Sequence, residues 1–236
     1  MIRTLIWFIY FWVSLIISIP FLWYGKLLAK RGDQEKYKNF VQGFASTWAK
    51  HLLFIAGTKI TVKGRKHLTE DPVLFVGNHQ GNFDIPIMIA YAPIFKGFIA
   101  KIELKKIPLI ASWMRMLKCV FMDRKDMRQS IKAINEGASN IKEGYSMIVF
   151  PEGTRSKDGV MLPFKPGALK LATKTKCTIM PVTINGSKDI MVKGSPWIRP
   201  AKVTITIHPA FDVSEYGPKE TSRLSDDLKA IIQSAL

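Results

Sequence analysis

His79 and Asp84 lie five residues apart in Asn78-His79-Gln80-Gly81-Asn82-Phe83-Asp84, and Glu152 and Arg155 lie close together in Phe150-Pro151-Glu152-Gly153-Thr154-Arg155-Ser156. The first segment holds the parts of a general base. An imidazole changes protonation near neutrality, and a carboxylate can fix its tautomer by accepting a hydrogen bond from one ring nitrogen. The other nitrogen is then free to remove a proton, which contributes about 10²–10⁴-fold in rate. The same spacing also suits a loop histidine followed by an aspartate that caps a helix N-terminus. No second histidine or cysteine cluster stands nearby, so a metal site is the weaker reading. In the second segment, Arg155 offers a planar fork that matches a phosphate. Glu152 could orient Arg155 or bind a substrate hydroxyl, and Gly153 lets the backbone approach closely. A surface turn with a solvated ion pair is the plainer alternative.

These residues need elements that bring them together. On one regular helix, a five-residue offset would turn His79 and Asp84 apart. His79, however, follows the apolar run Val73-Leu74-Phe75-Val76, Gly81 permits a sharp turn, and Asp84 begins a helical pattern that tolerates Pro86 in its first turn. Across a strand–turn–helix junction the two side chains can meet. The second segment follows another apolar run, Met147-Ile148-Val149-Phe150. Two more cations stand after strand-like runs: Lys101 after Ala100, and Arg124 in Phe121-Met122-Asp123-Arg124. Ligand sites in open α/β sheets gather at the carboxyl ends of strands. Three cations at three such ends could converge on one phosphate, although solvated surface charges would have the same sequence.

Short β-branched runs and helical stretches alternate from Thr58 onward. The expected strands are Lys59–Val62, Val73–Val76, Gly97–Ala100, Cys119–Met122, Met147–Phe150, Ile179–Ile184 and Val203–Ile207. The expected helices include Asp84–Ala90, Ile110–Met116, Met127–Lys142, Ala168–Lys174 and Ser222–Ala235. This pattern predicts an α/β fold, a mostly parallel or mixed sheet covered by helices. The polar, basic stretch Ser187–Pro200 reads as a mobile loop. Cys119 and Cys177 have no disulfide or metal-ligand spacing.

The N-terminus is of another kind. No charged residue occurs from Thr4 to Gly25. As a helix, the run Leu5–Tyr24 spans about 30 Å, roughly the hydrocarbon thickness of a bilayer. Its length, the single Arg3 before it and the lack of a small-residue cleavage site argue against a signal peptide. Aromatics at both ends but also at Tyr10 and Trp12, with a kink expected at Pro20, fit either a spanning helix or one dipping into a single leaflet. Lys26, Lys30 and Arg31 follow, which puts the rest of the chain on the cytoplasmic side of a cell membrane. A second, amphipathic helix is expected from Gln34 to Ala56, making a helical hairpin. Residues 1–57 thus read as a membrane-anchoring two-helix motif, and 58–236 as the α/β domain. Over the chain, Lys plus Arg number 35 against 18 Asp plus Glu, a net charge of +17. Such an excess needs anionic partners. With a membrane segment and no nucleic-acid motif, these are anionic headgroups or a phosphorylated substrate rather than nucleic acid.

Four blocks in order resemble those of the glycerolipid acyltransferase superfamily, and within it the 1-acyl-sn-glycerol-3-phosphate acyltransferases. They are Asn78–Asp84, Val120–Arg124, Phe150–Ser156 and Thr178-Ile179-Met180-Pro181-Val182, with Phe164-Lys165-Pro166-Gly167 also matching. The resemblance covers about Thr58 to His208 and implies roles. His79 would deprotonate an acceptor hydroxyl, oriented by Asp84, and the alkoxide would attack an acyl thioester directly. Arg124, Glu152 and Arg155 would bind the acceptor's glycerol phosphate, with Lys101, Gly153 and Thr154 beside them. The fourth block would line an acyl or acceptor channel. The implied reaction is transfer of an acyl group to the sn-2 hydroxyl of lysophosphatidate, giving phosphatidate. It uses no cofactor or metal, only acyl-CoA or acyl carrier protein as co-substrate. Glycerol 3-phosphate or another lysolipid as acceptor fits the same blocks. A membrane-anchored protein that merely binds anionic lipid would need neither His79 nor Asp84.

Overall fold

The computed structural model describes residues 1–156, 159–217 and 219–236. The expected strands form β1 (Lys59–Lys63), β2 (Leu74–Gly77), β3 (Lys96–Lys101), β4 (Val120–Met122), β5 (Ser146–Val149), β6 (Ile179–Asn185) and β7 (Lys202–Ile207). They make one sheet in the order β1-β7-β6-β2-β5-β3-β4. Every neighbouring pair is parallel except β6 with β7. β2 and β5 are buried at every position. This is the mark of a sheet covered on both faces, where apolar runs replace alternation.

The two faces carry separate cores. Phe75, Ile148, Met180 and Val182 pack with the N-terminal helices and with α4 (Asp84–Tyr91) and α5 (Pro108–Met116). Leu74, Val76, Met147 and Ile179 face α6 (Met127–Lys142), α7 (Pro166–Thr175) and α8 (Thr221–Gln233). Successive strand residues thus enter opposite cores, as the period of two demands. The start of α6 is set by Asp126, whose carboxylate accepts from the amides of Arg128 and Gln129.

The N-terminal motif holds three helices rather than the expected two: α1 (Ile2–Ile17), α2 (Ile19–Arg31) and α3 (Gln34–Ile55). Pro20 stands at the start of α2 and lacks the N–H that would continue the ladder. The chain bends by 44° between α1 and α2. Ser18 stabilises the break, donating to Leu15 O at 2.7 Å and accepting from the Trp113 indole at 2.8 Å. Gly32, with φ of 77°, ends α2, and Asp33 caps α3. Trp7, Leu15, Leu22 and Leu28 join the core of the sheet. The outer face keeps Leu5, Ile9, Trp12, Ile16 and Trp23 exposed. Among the described residues no single helix is long and apolar enough to cross a bilayer; α1 and α2 meet that length and composition only together, as a bent pair.

Candidate active site

β2 to β6 all run the same way, so their carboxyl ends share one edge of the sheet. His79 lies just beyond β2, Arg124 beyond β4, Glu152 and Arg155 beyond β5, and Ser187 beyond β6. Asp84 is the first residue of α4. The turn from β2 into α4 folds back on itself and brings His79 Nδ1 to 2.7 Å from Asp84 Oδ2. An ionised carboxylate can only accept, so the proton lies on Nδ1 and Nε2 carries the free lone pair.

Asp84 is fully buried. A buried carboxylate needs donors, and four converge on it. Oδ2 accepts from His79 and from the amides of Gln80 at 2.7 Å and Gly81 at 2.9 Å, while Oδ1 accepts the Ser187 hydroxyl. The imidazole is held on its flat side as well. It stacks on Phe150 with ring centroids 4.5 Å apart and an angle of 18°. The side chain keeps 16% exposure, enough for a reactant to reach it.

Glu152 has a partner the sequence did not suggest. It is 2% exposed, and the Arg155 guanidinium donates to Asn82. Oε1 accepts the His79 amide at 2.6 Å and Oε2 accepts the Leu162 amide at 2.9 Å. The Ser156 amide donates to the His79 carbonyl at 2.8 Å. The acid of the second segment therefore holds the backbone of the first. Burial pushes the Glu152 carboxyl above its ordinary range, against the two amides, which pull it down. Asn78 and Gln80 brace the same turn toward β6. Asn78 exchanges two hydrogen bonds with the backbone of Ile184, and Gln80 Oε1 accepts the Gly186 amide at 3.0 Å.

The cations gather only in part. Arg155 donates to Asn82 Oδ1 at 2.7 Å, which sets it over the His79–Asp84 turn. Arg124 donates to the carbonyl of Gly153. Burial pushes its guanidinium pKa down, opposed by the nearby Glu103. Lys101 is not drawn in. Its ammonium pairs with Glu103 at 2.7 Å, and the side chain is 62% exposed. Gly153 closes a turn with Phe150 and has φ of 72°, which favours glycine. Thr154 is exposed. A further cation lies where Lys101 was expected: a Cβ on Gly153 would come 3.1 Å from Lys165 Nζ.

Behind this turn runs a groove of about 490 Å³ between α6 and α7. Ile99, Ile134, Val149 and Phe150 line its depth, and Arg124 and Lys165 belong to the same wall. Phe150 thus separates the groove from His79. The fourth block, expected to line a channel, does not reach this groove. Ile179, Met180 and Val182 are wholly buried in β6, shared between the two cores.

Ser187 is the residue that sequence reading missed. It is 103 positions from Asp84, and only the β2–β6 pairing makes them neighbours. The segment that follows it is pinned rather than loose, with Ile190 and Ile198 buried. Phe150, Asn78 and Gln80 were present in the quoted segments but carried no assigned role. Among the described residues no group of three or more His, Cys, Asp or Glu side chains is placed to hold a metal ion.

Known proteins resemble this arrangement. A family model described as Acyltransferase matches residues 59–185. A 1-acyl-sn-glycerol-3-phosphate acyltransferase of Chlamydomonas reinhardtii is 33% identical over 210 residues, which cover 86% of this chain and 60% of that protein. A chloroplastic relative of the same description from Arabidopsis thaliana is 34% identical over 199 residues, 83% of this chain and 53% of its own. The 1-acyl-sn-glycerol-3-phosphate acyltransferase of Borreliella burgdorferi is 30% identical over 178 residues, 75% of this chain and 71% of its own. The chain therefore spans a little over half the length of the first two of these relatives. The crystal structure of the 1-acyl-sn-glycerophosphate acyltransferase PlsC from Thermotoga maritima superposes with a TM-score of 0.81. It is 29% identical, and the match covers 99% of this chain and 96% of that one.

Proposed function

This chain belongs to the acyltransferase family, and on that footing we propose that it transfers a fatty acyl group from a thioester to the sn-2 hydroxyl of 1-acyl-sn-glycerol 3-phosphate, giving phosphatidate. The single observation that carries the reading is the 2.7 Å contact between His79 Nδ1 and a fully buried Asp84, at the sheet edge where Arg155 also stands.

The chemistry follows from that geometry. Nε2 of His79 takes the proton of the acceptor hydroxyl as the oxygen attacks the thioester carbonyl. The carbon–oxygen bond forms, the tetrahedral intermediate collapses with loss of the carbon–sulfur bond, and the imidazolium returns its proton to the leaving thiolate. Asp84 stays ionised and steadies the imidazolium. Glu152 acts one step back, fixing the His79 backbone. Arg155 and Arg124 exchange their present partners for the acceptor's phosphate, with Lys165 beside them, where charge-assisted contacts are strongest. The groove behind Phe150 takes an acyl chain. The donor is acyl-CoA or acyl carrier protein, and no cofactor takes part.

We assign residues 1–57 to membrane anchoring and 58–236 to the catalytic domain, at the cytoplasmic face of the cell membrane. The bend of 44° and the buried inner faces of α1 and α2 support a pair lying in one leaflet rather than spanning. An outer apolar face and the +17 charge favour an anionic bilayer.

The test is a matrix of acceptors against acyl donors, read as thiol release. Lysophosphatidate should be the preferred acceptor over glycerol 3-phosphate and neutral lysolipids. His79→Ala should lose about 10²–10⁴-fold in rate. Wild-type turnover in that variant would sink the mechanism.

A further inference from the structure

The segment Ile190–Pro200 links α1 to the cationic turn of the site. Its base is buried and closed: Ile190 and Ile198 are 0% and 5% exposed, and the Arg199 amide donates to Ile190 O at 2.9 Å. The Ile198 amide donates to Thr4 Oγ1 at 2.9 Å, in the first turn of α1. On the other side, Lys193 Nζ donates to the backbone carbonyl of Arg155 at 2.9 Å. Asn82, which accepts from Arg155, donates to Met191 Sδ at 3.3 Å. α1 meets the same turn directly, for Trp7 packs on Phe83 with ring centroids 5.4 Å apart.

A loop tied down at so many points nevertheless leaves its apolar tip in the open. Val192 is 48% exposed and Trp197 is 41% exposed. Single exposed apolar residues need no explanation, but Trp197 adjoins a larger patch. The Thr4 contact of Ile198 places Trp197 beside the end of α1 whose Ile2, Leu5 and Ile6 are also exposed. Lys193 and Arg199 stand exposed in the same loop. Tryptophan with flanking cations is the composition of a membrane–water boundary, where the indole sits at headgroup depth and the cations meet lipid phosphates.

We infer that Met191–Pro200 is a second membrane contact, seated in the headgroup layer of an anionic leaflet beside α1. The occupant of this surface is lipid, because the patch is continuous with the apolar face of α1 and its charges are positive. The loop then holds Arg155 and the His79–Asp84 turn at the height where a phosphorylated lipid presents its headgroup. The acceptor enters sideways from the leaflet, under Trp197, without leaving the membrane. This inference rests on the proposed attachment of α1–α2 to the bilayer.

The experiment places one cysteine at a time in the full chain and attaches a fluorophore sensitive to its surroundings. The background is Cys177→Ser. Cys119 stays unlabelled, since it is buried and its thiol is pushed up to about 12. The labelled positions are Trp197→Cys, Val192→Cys (which keeps Trp197), Ile9→Cys on α1 and Ser222→Cys on α8. Vesicles are phosphatidylcholine with or without phosphatidylglycerol. The labels at 9, 192 and 197 should brighten severalfold on vesicles containing phosphatidylglycerol and be quenched by brominated lipid, while the label at 222 stays unchanged. Arg199→Gln should weaken partitioning into the anionic vesicles by about fivefold, the worth of one cation near such a surface. Insertion at 9 with none at 192 and 197 overturns the loop contact and leaves the helical anchor standing. Silence at 9, 192 and 197 overturns both. Brightening of 192 and 197 with an acidic acyl carrier protein but not with vesicles assigns the loop to a protein partner and also overturns the inference.

Discussion

The hydroxyl of Ser187, at the end of β6, donates to Oδ1 of Asp84, at the start of α4, while His79 takes Oδ2. The two carboxylate oxygens are thereby held by different parts of the sheet, and the carboxylate cannot rotate without breaking one of them. Ser187→Ala removes one of four donors to a buried charge. We expect a loss of about tenfold in kcat, the scale of one hydrogen bond, with little change in KM for either substrate. Asp84→Asn should cost more, about 10²–10⁴-fold, because the imidazole loses both its tautomer and its counter-charge. Steady-state kinetics of the two variants side by side would check this. Equal losses would mean that the serine does more than position the aspartate.

Glu152 and Arg155 stand in the same turn but should fail in different ways. Glu152→Gln places an amide donor against either the His79 or the Leu162 N–H. The turn must shift, and displacement of a base by about 1 Å can cost about 10²-fold in kcat. Arg155→Ala should instead raise KM for lysophosphatidate by about 10–100-fold, the worth of a hydrogen bond to a charged group. A raised acceptor KM with unchanged kcat in Glu152→Gln would return that residue to direct substrate binding.

Groove width should set the acyl donor. Ala168 lines the groove between α6 and α7. Ala168→Phe would fill part of the 490 Å³. The preferred donor should shift toward shorter chains, with rate on the shortest donors kept. An unchanged chain-length profile would place the acyl chain elsewhere.

Lys96 gives a stability prediction independent of catalysis. It is fully buried, and its ammonium donates to the carbonyls of Ala92 and Ile94 beyond α4. Burial pushes its pKa down to about 7 from an unfolded value near 10.5. Between those values the unfolded chain holds the proton and the folded one has released it. Stability therefore rises with pH from about 7 to 10.5, and the cost of burying the charge is felt in full below 7. Lys96→Met leaves two carbonyls without a donor, so its absolute stability change mixes two effects. Its slope is cleaner. Urea midpoints between pH 7 and 10 should rise more steeply in the wild type than in the variant, and parallel slopes would contradict the assignment.

Much of this protein could be read in its sequence. Apolar runs such as Leu74–Val76 and Met147–Val149 announce strands because a covered parallel sheet accepts only such residues. The α6 limits, Met127–Lys142, followed from its helical pattern. His79 and Asp84 were legible as a pair because the strand, turn and helix that join them are all local. The bend at Ser18 was half legible, since Pro20 gives the break but not its angle.

Contacts between distant segments were decided by the tertiary structure. Glu152 looked like a partner for Arg155, two residues beyond Gly153. Once β5 lies beside β2, its carboxylate meets the His79 amide instead, and burial makes those amide bonds obligatory. Lys101, expected beside the phosphate, pairs with Glu103, two residues on, while Lys165 reaches the turn from the residue just before α7. Ser187 carried no signal at all, because its meaning is a hydrogen bond across 103 positions. The sequence by itself determined the elements, their order and the base pair of residues at one turn, all of which depend on neighbours in the chain. The fold decided which polar groups satisfy which, because that depends on strand order, and strand order depends on the summed burial of two cores.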